Sequence, residues 1–300
     1  MQNPNELLIE IDKLIQNWQY FCSLQPSSTV VPVLKSDAYG HGASELALAL
    51  QGVGANYLAV FSFPEALALR NAGVTATLWL LQGLLPGELP YAYNLNLVSA
   101  CGSFEQAEAM VAFAKEKRCR FKIHLKLDTG MSRLGFSTDE ISKILHYIQK
   151  NPELDLCGCF SHLAISQDAE HPLTIQQVED FRNVLPMLPE TCKEISLSAT
   201  NAMLNKVATE LPFARLGIGL YGYSDTNIVT NSMQAVMTLK SKVVAVKKIT
   251  KGKTVSYNAL YEFDKDGVLA VIPLGYADGY PRILGNKADV LIRGKRLPIR

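Results

Sequence analysis

The chain has 300 residues, of which 48% are apolar and 19% charged. That balance can bury a sizeable core, which excludes general disorder and fibrous classes, and the length suits one large domain plus a small one. Lys and Arg exceed Asp and Glu by only 29 − 28 = +1, so nothing in the bulk charge draws the chain to nucleic acid or to an anionic membrane.

The opening, MQNPNELLIEIDK, is polar and acidic, so no secretory signal is expected. No apolar stretch reaches the ~18–20 residues of a membrane span. A helix over Glu6–Cys22 is predicted to precede the first strand. Short apolar runs then recur at Thr29–Leu34, Tyr57–Phe61, Thr77–Leu81, Asn96–Ser99, Phe121–Leu127, Asp155–Phe160, Glu194–Ser198 and Phe213–Leu216. Each is bounded by Gly, Ser, Asp or Pro, as strands buried on both faces are. Between them lie helix patterns at Gly42–Val53, Phe63–Ala72, Phe104–Lys117, Thr138–Lys150 and Pro172–Leu188. Pro64 fits a first helical turn, Gly73 a stop, Ser103 with Gln106 an N-cap, and Asn151-Pro152 a terminator.

Eight β/α repeats fit a TIM-type (β/α)8 barrel better than an open doubly wound sheet. Beyond about Ser224 the texture changes. Met233–Val246, Thr254–Tyr257, Val268–Leu274, Asp289–Ile292 and Leu297–Ile299 read as strands with no helix between them. The expected organisation is therefore α/β: a barrel over residues 1–225 and a smaller, incomplete all-β domain over 226–300.

The six cysteines are scattered and form no C-x-x-C pattern. Cys157 and Cys159 lie in an apolar run whose alternation points both thiols to one side, and they read as small core residues rather than a metal or redox pair. No metal site is expected. The absence of a disulfide framework and of a signal suggests the cytoplasm.

Lys35 stands at the carboxyl end of the first barrel strand, where barrel enzymes place their chemistry. An apolar strand end strips hydration from the amine, lowers its pKa and favours the neutral form that a Schiff base requires. Read alone, it is more often a solvated lysine capping a strand, and the residues around it reverse that reading.

The segment Val33-Leu34-Lys35-Ser36-Asp37-Ala38-Tyr39-Gly40-His41-Gly42 resembles the cofactor-lysine motif of the alanine racemase family, which is pyridoxal-phosphate dependent and joins a barrel to a β-domain. The similarity continues through His124–Gly135, Phe160–Ala164, Arg215–Gly222, Val255–Tyr257 and Ile272–Tyr280, in the family's order. It implies a racemase that interconverts L- and D-alanine and supplies D-alanine for cell-wall synthesis, with an amino acid as substrate. Racemisation needs a base on each face of a planar carbanion and an electron sink, the cofactor's part.

By the resemblance, Lys35 carries pyridoxal 5'-phosphate and serves as one base, and Tyr257 is the other. A phenol ionises only near pH ~10, and the family supplies a relay whose His and Arg match His162 and Arg215. Arg215 is expected to donate to the pyridine nitrogen, leaving the ring unprotonated and a weaker sink. Tyr39, Thr200 and the backbone N–H groups of Gly217 and Ile218 match phosphate contacts. Thr200 is read also as an N-cap. Arg133 and Tyr276 match substrate-site residues, and Lys126 falls where some members carry a carbamylated lysine. Asp37 and His41 are read as structural.

The sequence departs from the family's usual wording at Ile195–Thr200. Family members also continue past the position of Arg300, with a Met-Asp segment and a late Tyr, and share each site across a homodimer. The implied alternatives are a truncated, weakly active or inactive pyridoxal-phosphate-binding homologue, and a racemase of serine or another amino acid.

Overall fold

The computed structural model describes residues 4–226 and 232–300. The expected boundary at 225/226 adjoins residues 227–231, which lie outside the described residues. The chain divides into two units, one spanning Glu10–Val236, the other Met237–Arg300 together with the segment ending at Ile9.

The N-terminus differs from the expected helix. β1 (Glu6–Ile9) is a strand, and α1 (Ile11–Leu24) starts only after it. The run Leu7-Leu8-Ile9 pairs antiparallel with β10 (Met237–Lys240), so a partner more than two hundred residues away overrides the local helical pattern.

The larger unit is built of β2 (Thr29–Pro32), a single helical turn α2 (Lys35–Gly40), α3 (Ala43–Gly52), β3 (Tyr57–Val60), α4 (Phe63–Asn71), β4 (Thr77–Leu80), the short α5 (Leu89–Ala92), β5 (Leu97–Cys101), α6 (Phe104–Lys117) and β6 (Phe121–Lys126). It continues through α7 (Ile141–Lys150), β7 (Leu154–Phe160), α8 (Pro172–Val184), β8 (Glu194–Ala199), the short α9 (Thr200–Leu204) and β9 (Phe213–Leu216). The caps behave as their residues dictate. Ser103 accepts from the Gln106 N–H at 3.2 Å, and Gly73 ends the turn after α4 at φ +92°.

The eight strands β2 to β9 form one parallel sheet in the order β2-β9-β8-β7-β6-β5-β4-β3. A parallel bridge between Val33 and Ala59, with the Leu34 N–H on the Ala59 carbonyl at 2.7 Å, joins the two ends into a barrel. Val31, Val33, Ala59, Trp79, Val98, Ala100 and Phe160, drawn from or just beyond five strands, fill a fully buried cluster. Trp79 meets Phe160 edge-on at 4.8 Å and His124 at 4.4 Å. This interior is a packed plug, so chemistry is confined to the rim.

The second unit is all-β apart from short 3-10 turns. Its pairs are β1 with β10, β11 (Ala245–Ile249) with β14 (Gly267–Val271), β12 (Thr254–Val255) with β13 (Tyr261–Glu262), and β15 (Asp289–Ile292) with β16 (Lys295–Pro298), all antiparallel. The single strand expected over Met233–Val246 is two, interrupted after Lys240 where the Ser241 hydroxyl turns aside to bond Asn5 at 2.7 Å.

Candidate functional site

The carboxyl ends of the barrel strands carry most of the expected site. Lys35 follows β2 and opens α2. Its four successors, Ser36, Asp37, Ala38 and Tyr39, all have φ between +52° and +55°, a left-handed turn made without glycine. Such backbone costs roughly 1–2 kcal/mol per residue, and it persists only where its surroundings hold it. Asp37 accepts from the Ala43 N–H at 2.8 Å, and His41 Nδ1 pairs with the Ala38 carbonyl at 3.0 Å. Both side chains bond within their own segment.

Arg215 lies within β9 and is buried. Its Nε donates to Ser196 Oγ at 3.1 Å, and its Nη2 to the Leu197 carbonyl at 3.0 Å and to the Ser161 carbonyl. Among the described residues Nη1 takes no hydrogen bond. Among the described residues the guanidinium has no carboxylate partner. Burial, with Arg133 beside it, pushes its pKa down to about 9, so it still stays cationic at neutral pH.

Lys126 ends β6, with Nζ 4.4 Å from the centre of the Phe160 ring, and the Arg215 guanidinium lies 5.2 Å from the same ring. Burial first, then Arg215 and Arg133, push the Lys126 amine down to about 7 against the pull of Asp128. Lys126, Arg133, Ser161 and His162 line one cavity. His162 Nδ1 is sealed from solvent and has no hydrogen-bond partner among the described residues. Burial, then Arg215, Lys126, Arg133 and Lys35, drive that imidazole well below its usual range, so it is neutral. The Lys35 amine is also lowered, by burial and then by Arg133, with Glu65 opposing.

A second group converges after β8 and β9. A Cβ built on Gly217 would sit 3.2 Å from Tyr39 Oη and 4.0 Å from Thr200 Oγ1, so three of the four expected phosphate contacts share one cup that the glycine leaves open. Thr200 Oγ1 accepts from the Gly219 N–H at 3.1 Å, which leaves its hydroxyl hydrogen to donate elsewhere. The N-cap role expected of Thr200 is not seen, because α9 begins at Thr200 and Ala199 is its N-cap. Ile218 opens the short 3-10 turn that follows Gly217.

Tyr257 and Tyr276 lie in the all-β unit, where they are 71% and 54% exposed. Tyr257 opens a 3-10 turn between Ser256 and Asn258, both at φ +62°. Arg282 stands 6.0 Å from the Tyr276 ring.

Sequence reasoning missed the roles of Ser196, Glu65 and Glu194. Glu194 Oε2 accepts from His124 Nε2 at 2.6 Å and from the Tyr57 hydroxyl at 2.7 Å. Burial raises its pKa, and those hydrogen bonds more than offset that and leave it lowered. Cys159 is a buried core residue as expected, whereas Cys157 is half-buried, with its Sγ within 4.8 Å of the His124 and Glu194 ligand atoms. A register shift between Ile123 and His124 turns Cys157 inward, contrary to simple alternation. No one-dimensional pattern places three strands' side chains on one carboxylate.

Comparison with known proteins supplies the family. Residues 9–225 match the family described as alanine racemase, N-terminal domain, and residues 236–300 match alanine racemase, C-terminal domain. The chain belongs to the alanine racemase family. It is 35% identical over 281 residues to the alanine racemase of Desulfovibrio desulfuricans, covering 92% of this chain and 76% of that one. Identity to alanine racemase 1 of Clostridium acetobutylicum is 33%, covering 97% and 77%. Among solved structures, alanine racemase from a D-cycloserine-producing Streptomyces lavendulae superposes with a TM-score of 0.92 at 28% identity, covering 99% of this chain and 80% of that one. The Bartonella henselae alanine racemase, solved with covalently bound pyridoxal phosphate, gives 0.91 at 28%, covering 99% and 82%. The barrel and all-β unit are those of alanine racemases, and the chain is an isomerase of that class. Among the described residues no helix is long and apolar enough to cross a membrane.

Proposed function

We propose that this alanine racemase homologue uses pyridoxal 5'-phosphate to interconvert L- and D-alanine, with Lys35 and Tyr257 as opposed bases, and supplies D-alanine for the cell wall. The observation that carries the reading is one rim that gathers an amine whose pKa burial lowers, an open hydroxyl cup and, among the described residues, a guanidinium with an unused nitrogen and a sealed imidazole atom without a hydrogen-bond partner.

These residues fit the cofactor. Tyr39, Thr200 and the backbone N–H groups of Gly217 and Ile218 suit a phosphate. Arg215 suits a pyridine nitrogen through Nη1, and because a guanidinium does not surrender its proton readily, it donates without protonating the ring. Lys35 supplies the amine for covalent attachment. When bound, the cofactor supplies the electron sink that makes an α-proton acidic.

The remaining chemistry belongs to the chain. Lys35 Nζ moves the proton on one face of the α-carbon, and Tyr257 Oη moves it on the other. The exposure of Tyr257 and Tyr276 suits a homodimer in which each phenol serves the partner subunit's site. His162 and Arg215 form the relay that supports Tyr257, and the neutral His162 can accept a hydrogen bond there. Arg133 and Tyr276 receive the amino-acid substrate, Arg133 through its carboxylate. Lys126, with a near-neutral pKa beside two guanidinium groups, is proposed to be carbamylated: its neutral amine attacks carbon dioxide, a C–N bond forms and one proton leaves. The resulting anion would be offset by Arg133 and Arg215. A cytoplasmic location is proposed with this role.

The test is reconstitution with pyridoxal 5'-phosphate, followed by absorbance and by D-alanine formation from L-alanine. Lys35→Ala should lose both. Cofactor uptake without turnover would leave a carrier, and an absent cofactor band with Lys35 intact would defeat the proposal.

A further inference from the structure

Glu65 stands outside the rim residues discussed so far. It is in the first turn of α4, next to Pro64, where an acidic side chain commonly closes the helix end. A single oxygen is enough to close it. Oε2 accepts from the N–H groups of Phe61 at 2.7 Å and Ser62 at 3.2 Å. The other oxygen reaches elsewhere. Oε1 accepts at 2.8 Å from the N–H of Ser36, the residue that directly follows Lys35 and begins the left-handed turn.

The other side-chain hydrogen bonds on that turn, Asp37 to the Ala43 N–H and His41 Nδ1 to the Ala38 and Tyr39 carbonyls, are local to its own segment. Glu65 comes from the neighbouring β/α unit, so it fixes the turn relative to the barrel wall. The charged groups that bear on the Lys35 amine are Arg133 and Arg215, from other β/α units, and Glu65; the neutral His162 is the further titratable group facing it. Glu65 is the carboxylate among them. Lys35 must shed a proton to bond to an aldehyde and must hold one after taking it from substrate, so a cation-only environment would serve the first need and oppose the second.

We infer that Glu65 is a positioning residue for Lys35: one carboxylate oxygen caps α4 while the other clamps the strained turn that aims the lysine and sets the charge against which its proton is held. This rests on the reading of Lys35 as the cofactor lysine.

The experiment compares wild type with Glu65→Gln, which retains size and one acceptor but turns an NH2 group toward a backbone donor. In the apo-protein, acetic anhydride labelling of Lys35 across pH is read by mass spectrometry. Pyridoxal 5'-phosphate is then titrated by absorbance. In Glu65→Gln the labelling midpoint should move to lower pH, because the group that favours the protonated amine is gone. Cofactor affinity should fall roughly tenfold, the equivalent of one charge-assisted hydrogen bond. An unchanged midpoint with unchanged affinity would reduce Glu65 to a helix cap and overturn the inference. If the variant does not fold, hydrogen exchange on wild type decides: the Ser36 N–H lies on an exposed residue, so protection from exchange requires the Glu65 clamp, and free exchange would refute it. A wild-type protein that takes up no pyridoxal phosphate defeats the cofactor reading instead, and leaves the labelling and exchange results to judge the clamp.

Discussion

Lys126 offers the sharpest quantitative test. Its amine is shifted from an ordinary 10.5 to about 7. At pH 7 the neutral fraction therefore rises from about 0.03% to about half, a gain of ~1,000-fold in reactive amine. The same shift has a cost to stability with a definite sign. Between pH 10.5 and 7 the unfolded chain protonates this lysine while the folded chain resists, so the penalty is absent above 10.5, grows as pH falls, and levels off below about 7. At about 1.4 kcal/mol per pH unit the full penalty is at most about 5 kcal/mol. Lys126→Met should thus raise the urea midpoint at pH 7 and lose that advantage near pH 10. Bicarbonate should stabilise wild type but not Lys126→Met, and 13C-bicarbonate should give a carbamate resonance only in wild type. An advantage of Lys126→Met over wild type no larger at pH 7 than at pH 10 would refute the desolvation argument. Absence of both the resonance and any bicarbonate effect would refute the carbamate.

Three further outcomes are expected. Thr200→Val removes a donor from the proposed phosphate cup and leaves the Gly219 N–H without its acceptor, so pyridoxal 5'-phosphate should dissociate roughly tenfold more readily; wild-type affinity would remove Thr200 from the cup. Trp79→Ala should cost about 3–5 kcal/mol in urea unfolding, since it empties the centre of a fully buried plug. Glu194→Gln should lower stability by about 1–3 kcal/mol at neutral pH by weakening the acceptor for His124 and Tyr57. Because the folded Glu194 pKa is below 4.5, that loss should be complete above this value and shrink as acid protonates the wild-type group.

Much of the barrel was legible because parallel strands buried on both faces must be short, apolar and punctuated. The sequence positions of all eight strands are recovered to within a residue or two at most ends. The family resemblance pointed to Lys35, Arg215 and His162 through motifs at strand ends, and to Thr200 despite a departure from the family's wording there; the structure places all four at or just past the carboxyl ends of barrel strands. The same reasoning failed at Glu6–Ile9, where a three-residue apolar run looks like the start of a helix until a distant strand claims it. It also passed over Glu65, because the partner of its second oxygen, the Ser36 N–H, belongs to another β/α unit.

The order of short buried strands and helices, the placing of a lysine at a strand end and the membership of a family were determined by the sequence itself, since periodicity and local motif are properties of neighbours along the chain. Tertiary structure alone decided which oxygen of Glu65 meets Ser36, that Ser196 seats Arg215, and that the Lys126 amine is pushed down to about 7. Each depends on burial and on contacts between separate strands, and the electrostatic energy of a charge is set by everything around it in space.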